Sequence, residues 1–138
     1  MKPMNDKVFL DSNILIYTYS ATEPEKQLIA RKLVIDNLTF ISTQVLQELC
    51  NIVTRKFKFN YFDAVKVIQE CSRNSFVHIN SETTILQACS IAEKSGYSFY
   101  DCMIISAALE SDCATLYSED LHNGHLIDEK LTIKNPFV

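Results

Sequence analysis

The sequence predicts an α/β domain in which a mainly parallel sheet lies between layers of helices. Three observations support this. Short apolar runs of strand length alternate with longer stretches of helical spacing, the pattern of strand–helix–strand crossovers. Two of the runs, Val8-Phe9-Leu10 and Ala114-Thr115-Leu116-Tyr117, pass directly into acid-bearing segments, Asp11 and Ser118-Glu119-Asp120. No repeat, linker or low-complexity segment interrupts the 138 residues, so one domain is expected over residues 1–138.

Val8–Leu10 reads as a buried strand that carries Asp11 to the carboxyl edge of the sheet, where open α/β sheets bind ligands. Ile14-Leu15-Ile16-Tyr17 keeps the chain apolar beyond it, and Thr22-Glu23-Pro24-Glu25 starts a helix that runs to about Asn37. Thr39–Ser42 is a second strand. Thr43 to about Lys56 is a helix with Val45, Leu49, Ile52 and Val53 on one face and Glu48 among them. A helix from Tyr61 or Phe62 to Ser72 precedes a third strand, Phe76–Ile79. Ser81–Ser95 is a helix with Gly96 placed to cap its end. Tyr100–Glu110 is the next helix and Ala114–Tyr117 the strand after it. His122-Asn123-Gly124-His125 is a turn by composition, and Leu131-Thr132-Ile133 reads as a last, edge strand.

A chain of this length buries about 68–70% of its unfolded surface and needs no disulfide staple. Cys50, Cys71, Cys89, Cys102 and Cys113 form no Cys-x-x-Cys pair and read as small buried hydrophobes in a reducing, cytoplasmic setting. No apolar run reaches the roughly 18–20 residues of a membrane span, and the N-terminus lacks the apolar core of a secretory signal. Seventeen acids against thirteen Lys and Arg give a net charge of −4, which argues against non-specific nucleic-acid binding through a broad basic surface. It leaves room for an enzyme whose carboxylates hold metal. The two glycines, Gly96 and Gly124, do not open a helix after a strand, so dinucleotide and Walker-type phosphate loops are excluded.

Four acids stand out. Glu48 sits on an apolar helix face, where an unpaired charge costs several kcal/mol. Asp101 heads the side of its helix that carries Ile104, Ile105 and Ala108, and Asp11 and Asp120 both follow strands. Each has a structural alternative: an Asx-turn for Asp11, a turn or N-cap for Asp120, a capping box with Ser98 for Asp101, and pairing or snorkelling for Glu48. Gathered in one crevice they would repel one another, and a divalent cation removes that conflict. All-oxygen ligands suit Mg²⁺ or Mn²⁺, with substrate phosphate completing the coordination.

The segments Phe9-Leu10-Asp11-Ser12-Asn13-Ile14-Leu15, Gln47-Glu48-Leu49, Tyr100–Ala108 around Asp101, and Leu116-Tyr117-Ser118-Glu119-Asp120-Leu121 resemble, in order and spacing, the motifs of PIN-domain ribonucleases. The VapC-like toxins of bacterial toxin–antitoxin systems are the nearest resemblance. It implies a three-layer α/β/α fold in which Asp11, Glu48, Asp101 and Asp120 surround one or two Mg²⁺ or Mn²⁺ ions. It further implies cleavage of RNA to 5′-phosphate and 3′-hydroxyl products, a cognate antitoxin and a homodimer. Asn13 and Ser118 match polar positions beside the acids. Glu119 lies where the family varies and is expected to point away from the crevice.

Arg55, Lys56 and Lys58, interleaved with Phe57, Phe59 and Tyr61, form a candidate RNA strip, although a helix C-terminus and a helix junction would use the same residues. The apolar excess of Leu28, Ile29, Leu33, Val34 and Ile35, together with Val45, Leu46, Leu49 and Ile52, fits either a core or a dimer face. His122 and His125 read as turn residues. Two rival functions remain. One is an inactive PIN-like module that binds RNA or a protein. The other is a small phosphatase on a doubly wound sheet, which the absence of a second acid two residues after Asp11 disfavours.

Overall fold

The computed structural model describes residues 7–138. Among these residues twelve elements follow one another: β1 (Lys7–Leu10), α1 (Ser12–Thr18), α2 (Pro24–Asp36), β2 (Leu38–Ser42), α3 (Thr43–Arg55), α4 (Tyr61–Asn74), β3 (Phe76–His78), α5 (Glu82–Ser95), α6 (Phe99–Glu110), β4 (Thr115–Tyr117), β5 (Leu126–Ile127) and β6 (Leu131–Lys134). The six strands form one sheet in the order β3-β2-β1-β4-β6-β5, parallel except for the β5–β6 pair.

β1 lies inside the sheet. Val8 pairs with Thr39 of β2 on one side and with Thr115 of β4 on the other. Val8, Phe9 and Leu10 are all buried, as a strand covered on both faces requires, so its sequence is continuously apolar rather than alternating. The chain leaves β1 toward β2 and β3 and returns on the opposite flank as β4. The crevice beyond β1 and β4 is therefore the switch point of the sheet.

The helices close the layers. α3 starts where Ser42 Oγ accepts the Val45 N–H, and it buries Val45, Leu49 and Val53. α5 is capped by the reciprocal Ser81–Thr84 box and ends at Gly96, whose φ of 78° is the left-handed conformation that glycine adopts without strain. α6 is buried at every position from Cys102 to Ala108, the mark of a helix covered all round. It packs against α5 and β2.

Three expectations change. Ile14–Tyr17 belongs to a two-turn helix, α1, whose N-cap is Asp11. β6 is not an edge strand, because the chain folds back after the 122–125 turn to place β5 outside it. Among the cysteines, none of which is paired, Cys89 is exposed and Cys50 half-buried, while Cys71, Cys102 and Cys113 are buried as expected. Among the described residues no helix is long and apolar enough to cross a membrane.

Candidate active site

Asp11 is the one buried acid of the four, 6% exposed at the end of β1. Its two oxygens have different partners. Oδ1 accepts the Ser12 N–H at 2.7 Å and so caps α1; Oδ2 accepts the Ser118 hydroxyl at 2.8 Å across the switch point. The Asx-type local role and the crevice role thus coexist in one side chain. Burial pushes the carboxyl up from 3.8 to about 6, against the pull of the Ser118 and Ser12 hydrogen bonds, and the Glu48 and Asp120 charges raise it further.

Glu48 projects from α3 toward the same place. Burial raises its pKa above the usual glutamate value; Ser12 and Gln44 favour its charged form, and the Asp101 and Asp120 charges oppose it. Its Oε1 is buried and, among the described residues, has no hydrogen-bond partner. Such an atom carries the desolvation cost of an unmade bond, on the order of 1–3 kcal/mol. Asp101 stands half-buried in the first turn of α6, where Ser98 Oγ accepts its N–H at 3.2 Å. Asp120 is exposed, and Asn13 Nδ2 donates to its Oδ2 at 3.0 Å. Ser118 Oγ also accepts the Asp120 N–H at 3.2 Å, so one hydroxyl ties Asp11 to the segment that bears Asp120. The four acids therefore influence one another electrostatically. Among the described residues no three of them converge closely enough to form a ready-made metal cage.

The family model of the PIN domain matches residues 8–122, which span all four acids. The chain belongs to the PIN-domain family. No curated protein matches it. Among solved structures, this PIN domain is similar to VapC20 of Mycobacterium tuberculosis, described as a sarcin-ricin loop cleaving toxin, at 18% identity and a TM-score of 0.68, over 82% of this chain and 89% of that one. It is also similar to VapBC2 of Rickettsia felis bound to a DNA fragment from their promoter, at 17% identity and a TM-score of 0.63, over 94% of this chain and 98% of that one. At these identities the likeness is one of fold.

Within this PIN domain, Asn13 and Ser118 touch the acids they were expected to accompany. Glu119, between Ser118 and Asp120, turns away and pairs with Lys26. Arg55, Lys56 and Lys58 are exposed at the end of α3, with Arg55 about 10 Å along the helix from Glu48 at 1.5 Å per residue. The rings of that strip divide: Phe57 and Phe59 pack against the core, while Tyr61 is 74% exposed. His125 Nδ1 lies 2.9 Å from the Tyr97 hydroxyl, and His78 pairs with Glu110 at 3.1 Å. Ser12 and Gln44 beside Glu48 were not foreseen. Gln44 lies one helical turn before Glu48, a spacing that could have shown it.

Proposed function

We propose that this chain is a divalent-metal-dependent endoribonuclease, a VapC-like toxin component whose site is Asp11, Glu48, Asp101 and Asp120. The observation that carries the reading is the buried, unpartnered Oε1 of Glu48 beside an Asp11 whose carboxyl is raised by burial and by neighbouring acids. Among the described residues neither carboxylate is paired with a cationic side chain. The donor set, all carboxylate oxygen, fits Mg²⁺ or Mn²⁺, which are commonly held by one or two carboxylates with waters and substrate phosphate in the remaining positions. Membership of the PIN-domain family supports a nuclease. The sarcin-ricin loop cleaving activity given for VapC20 supports RNA as the substrate class.

In this reading Asp11 and Glu48 hold the ion, with Asp101 and Asp120 at the rim. When bound, one or two such ions lower the pKa of an attacking water and stabilise charge on the phosphate oxygens. The protein's own contribution is orientation. Ser12 and Ser118 fix the plane of the Asp11 carboxylate, and Asn13 holds Asp120 in register with it. Arg55, Lys56 and Lys58 track the RNA backbone, with Tyr61 as the exposed ring for an unpaired base. An antitoxin partner follows from the toxin reading, and the VapBC2 assembly supports it. Exposed Leu28, Ile35, Phe62 and Val65 on α2 and α4 offer apolar surface for that partner or for a homodimer, in a cytoplasmic setting suited to unpaired cysteines.

The test is cleavage of a mixed RNA by the purified protein in Mn²⁺ or Mg²⁺, with chelator and Asp11→Asn as controls. Metal-dependent cleavage that the substitution abolishes is expected. A folded protein that neither cleaves nor binds metal would instead be an inactive module.

A further inference from the structure

We propose that Lys26, Tyr17 and Glu119 form a latch that positions the Ser118–Asp120 segment against Asp11, an inference that rests on the reading of these acids as the site. Lys26 Nζ lies 2.5 Å from Glu119 Oε2 and donates to the Tyr17 hydroxyl at 3.2 Å. The Tyr17 hydroxyl donates in turn to Glu119 Oε1 at 2.6 Å, so both oxygens of Glu119 are held. The ammonium also stands 4.8 Å from the Tyr17 ring centroid and 5.4 Å from that of Phe137, and the two rings meet edge to face at 5.0 Å. A lone exposed Lys–Glu pair constrains little. Here one cation joins the end of α1, the first turn of α2, the Phe137 ring and the segment after β4.

The position of Glu119 gives the latch its use. Ser118, before it, donates to Asp11; Asp120, after it, accepts from Asn13; and the Glu119 N–H itself points to Asn13 Oδ1 at 3.4 Å. The backbone between the two site contacts is thus pinned from outside the crevice by a side chain facing the opposite way. Lys26 also keeps a further carboxylate turned out of a crevice that already holds several. Lys26 is a positioning residue, and it touches none of the four acids in the structure.

The experiment uses the whole chain and the variants Lys26→Met, Lys26→Arg and Glu119→Gln. Amide hydrogen exchange is read at Glu119 and Asp120 and in α6 as an internal reference, and RNA cleavage in Mn²⁺ is read as kcat and KM separately. Lys26→Met is expected to speed exchange at both amides about tenfold while α6 is unchanged, since local opening is independent of global stability. It should lower kcat about tenfold with KM within about twofold, because small misplacements of site groups act on turnover. Lys26→Arg, which keeps the charge and the donors, should recover most of both. Unchanged exchange at Glu119 and Asp120 in Lys26→Met would overturn the latch, as would a kcat loss that arginine does not recover. Exchange that responds in a protein that neither cleaves RNA nor binds Mn²⁺ would uphold the latch and remove the nuclease reading instead.

Discussion

Replacing Asp11 by asparagine is expected to abolish cleavage and at the same time to stabilise the fold, with a gain that depends on pH. The folded-state carboxyl is raised from 3.8 to about 6, so between these values the native state binds more protons than the unfolded one. Stability then falls as pH rises through that window, and the penalty is complete above about pH 6. A shift of about two units at 1.36 kcal/mol each places the penalty on the order of 3 kcal/mol at pH 7.5, against less than about 1 kcal/mol at pH 4. The amide loses one acceptor, so either the Ser12 N–H or the Ser118 hydroxyl must find another partner, at a cost of about 1 kcal/mol at any pH. The net expectation is a gain of about 2 kcal/mol at pH 7.5 and a small loss at pH 4. Urea unfolding of both proteins at several pH values, in chelator, measures this directly. A difference between variant and parent that is the same at pH 4 and pH 7.5 would refute the assignment of a strained, charged Asp11.

Other outcomes follow from the same geometry. Mn²⁺ should raise the melting temperature of the parent by binding the native state alone, and raise that of Asp11→Asn or Glu48→Gln far less; equal shifts in all three would place the ion elsewhere. Glu48→Gln should reduce cleavage at least about 100-fold, while its stability at pH 7.5 is unchanged or improved, since the substitution removes a buried charge with an unpartnered oxygen. Asn13→Ala leaves Asp120 Oδ2 without its 3.0 Å donor and should lower kcat about tenfold, with little change in thermal midpoint. Exchanging Arg55, Lys56 and Lys58 for glutamine should weaken RNA binding and reduce the salt dependence by about 0.7 per lost phosphate contact, measured by filter binding over a salt series.

What could be read from the sequence followed local rules. β1, α3, α5 and β4 were legible because an apolar run, a one-face spacing or a cap such as Gly96 marks each. α1 was not, since Ile14-Leu15-Ile16-Tyr17 has no helical period and only the Asp11 cap announces it. β5 is two residues long, too short for a pattern, and that one omission made β6 an edge strand. α2 buries only Ala30 fully, so its apolar residues could not be divided between core and surface. The acids were legible because they interrupt apolar patterns, and Asn13 and Ser118 because they adjoin them. The Lys26–Glu119 pair spans 93 residues of chain and leaves no local trace.

The central place of β1 also sets when the crevice can exist during synthesis. β1, β2 and β3 emerge early with Asp11 and Glu48, but the other flank of β1 stays open until Thr115–Tyr117 arrives. The hydroxyl that fixes Asp11 lies 107 residues downstream of it, and Asp101 and Asp120 come with the same late stretch. A domain folds as a unit, and pairings this distant in sequence form late. A nascent chain on the ribosome therefore carries half of the acids in an unfinished pocket. Translation therefore delays the closing of this crevice until β4 has been made.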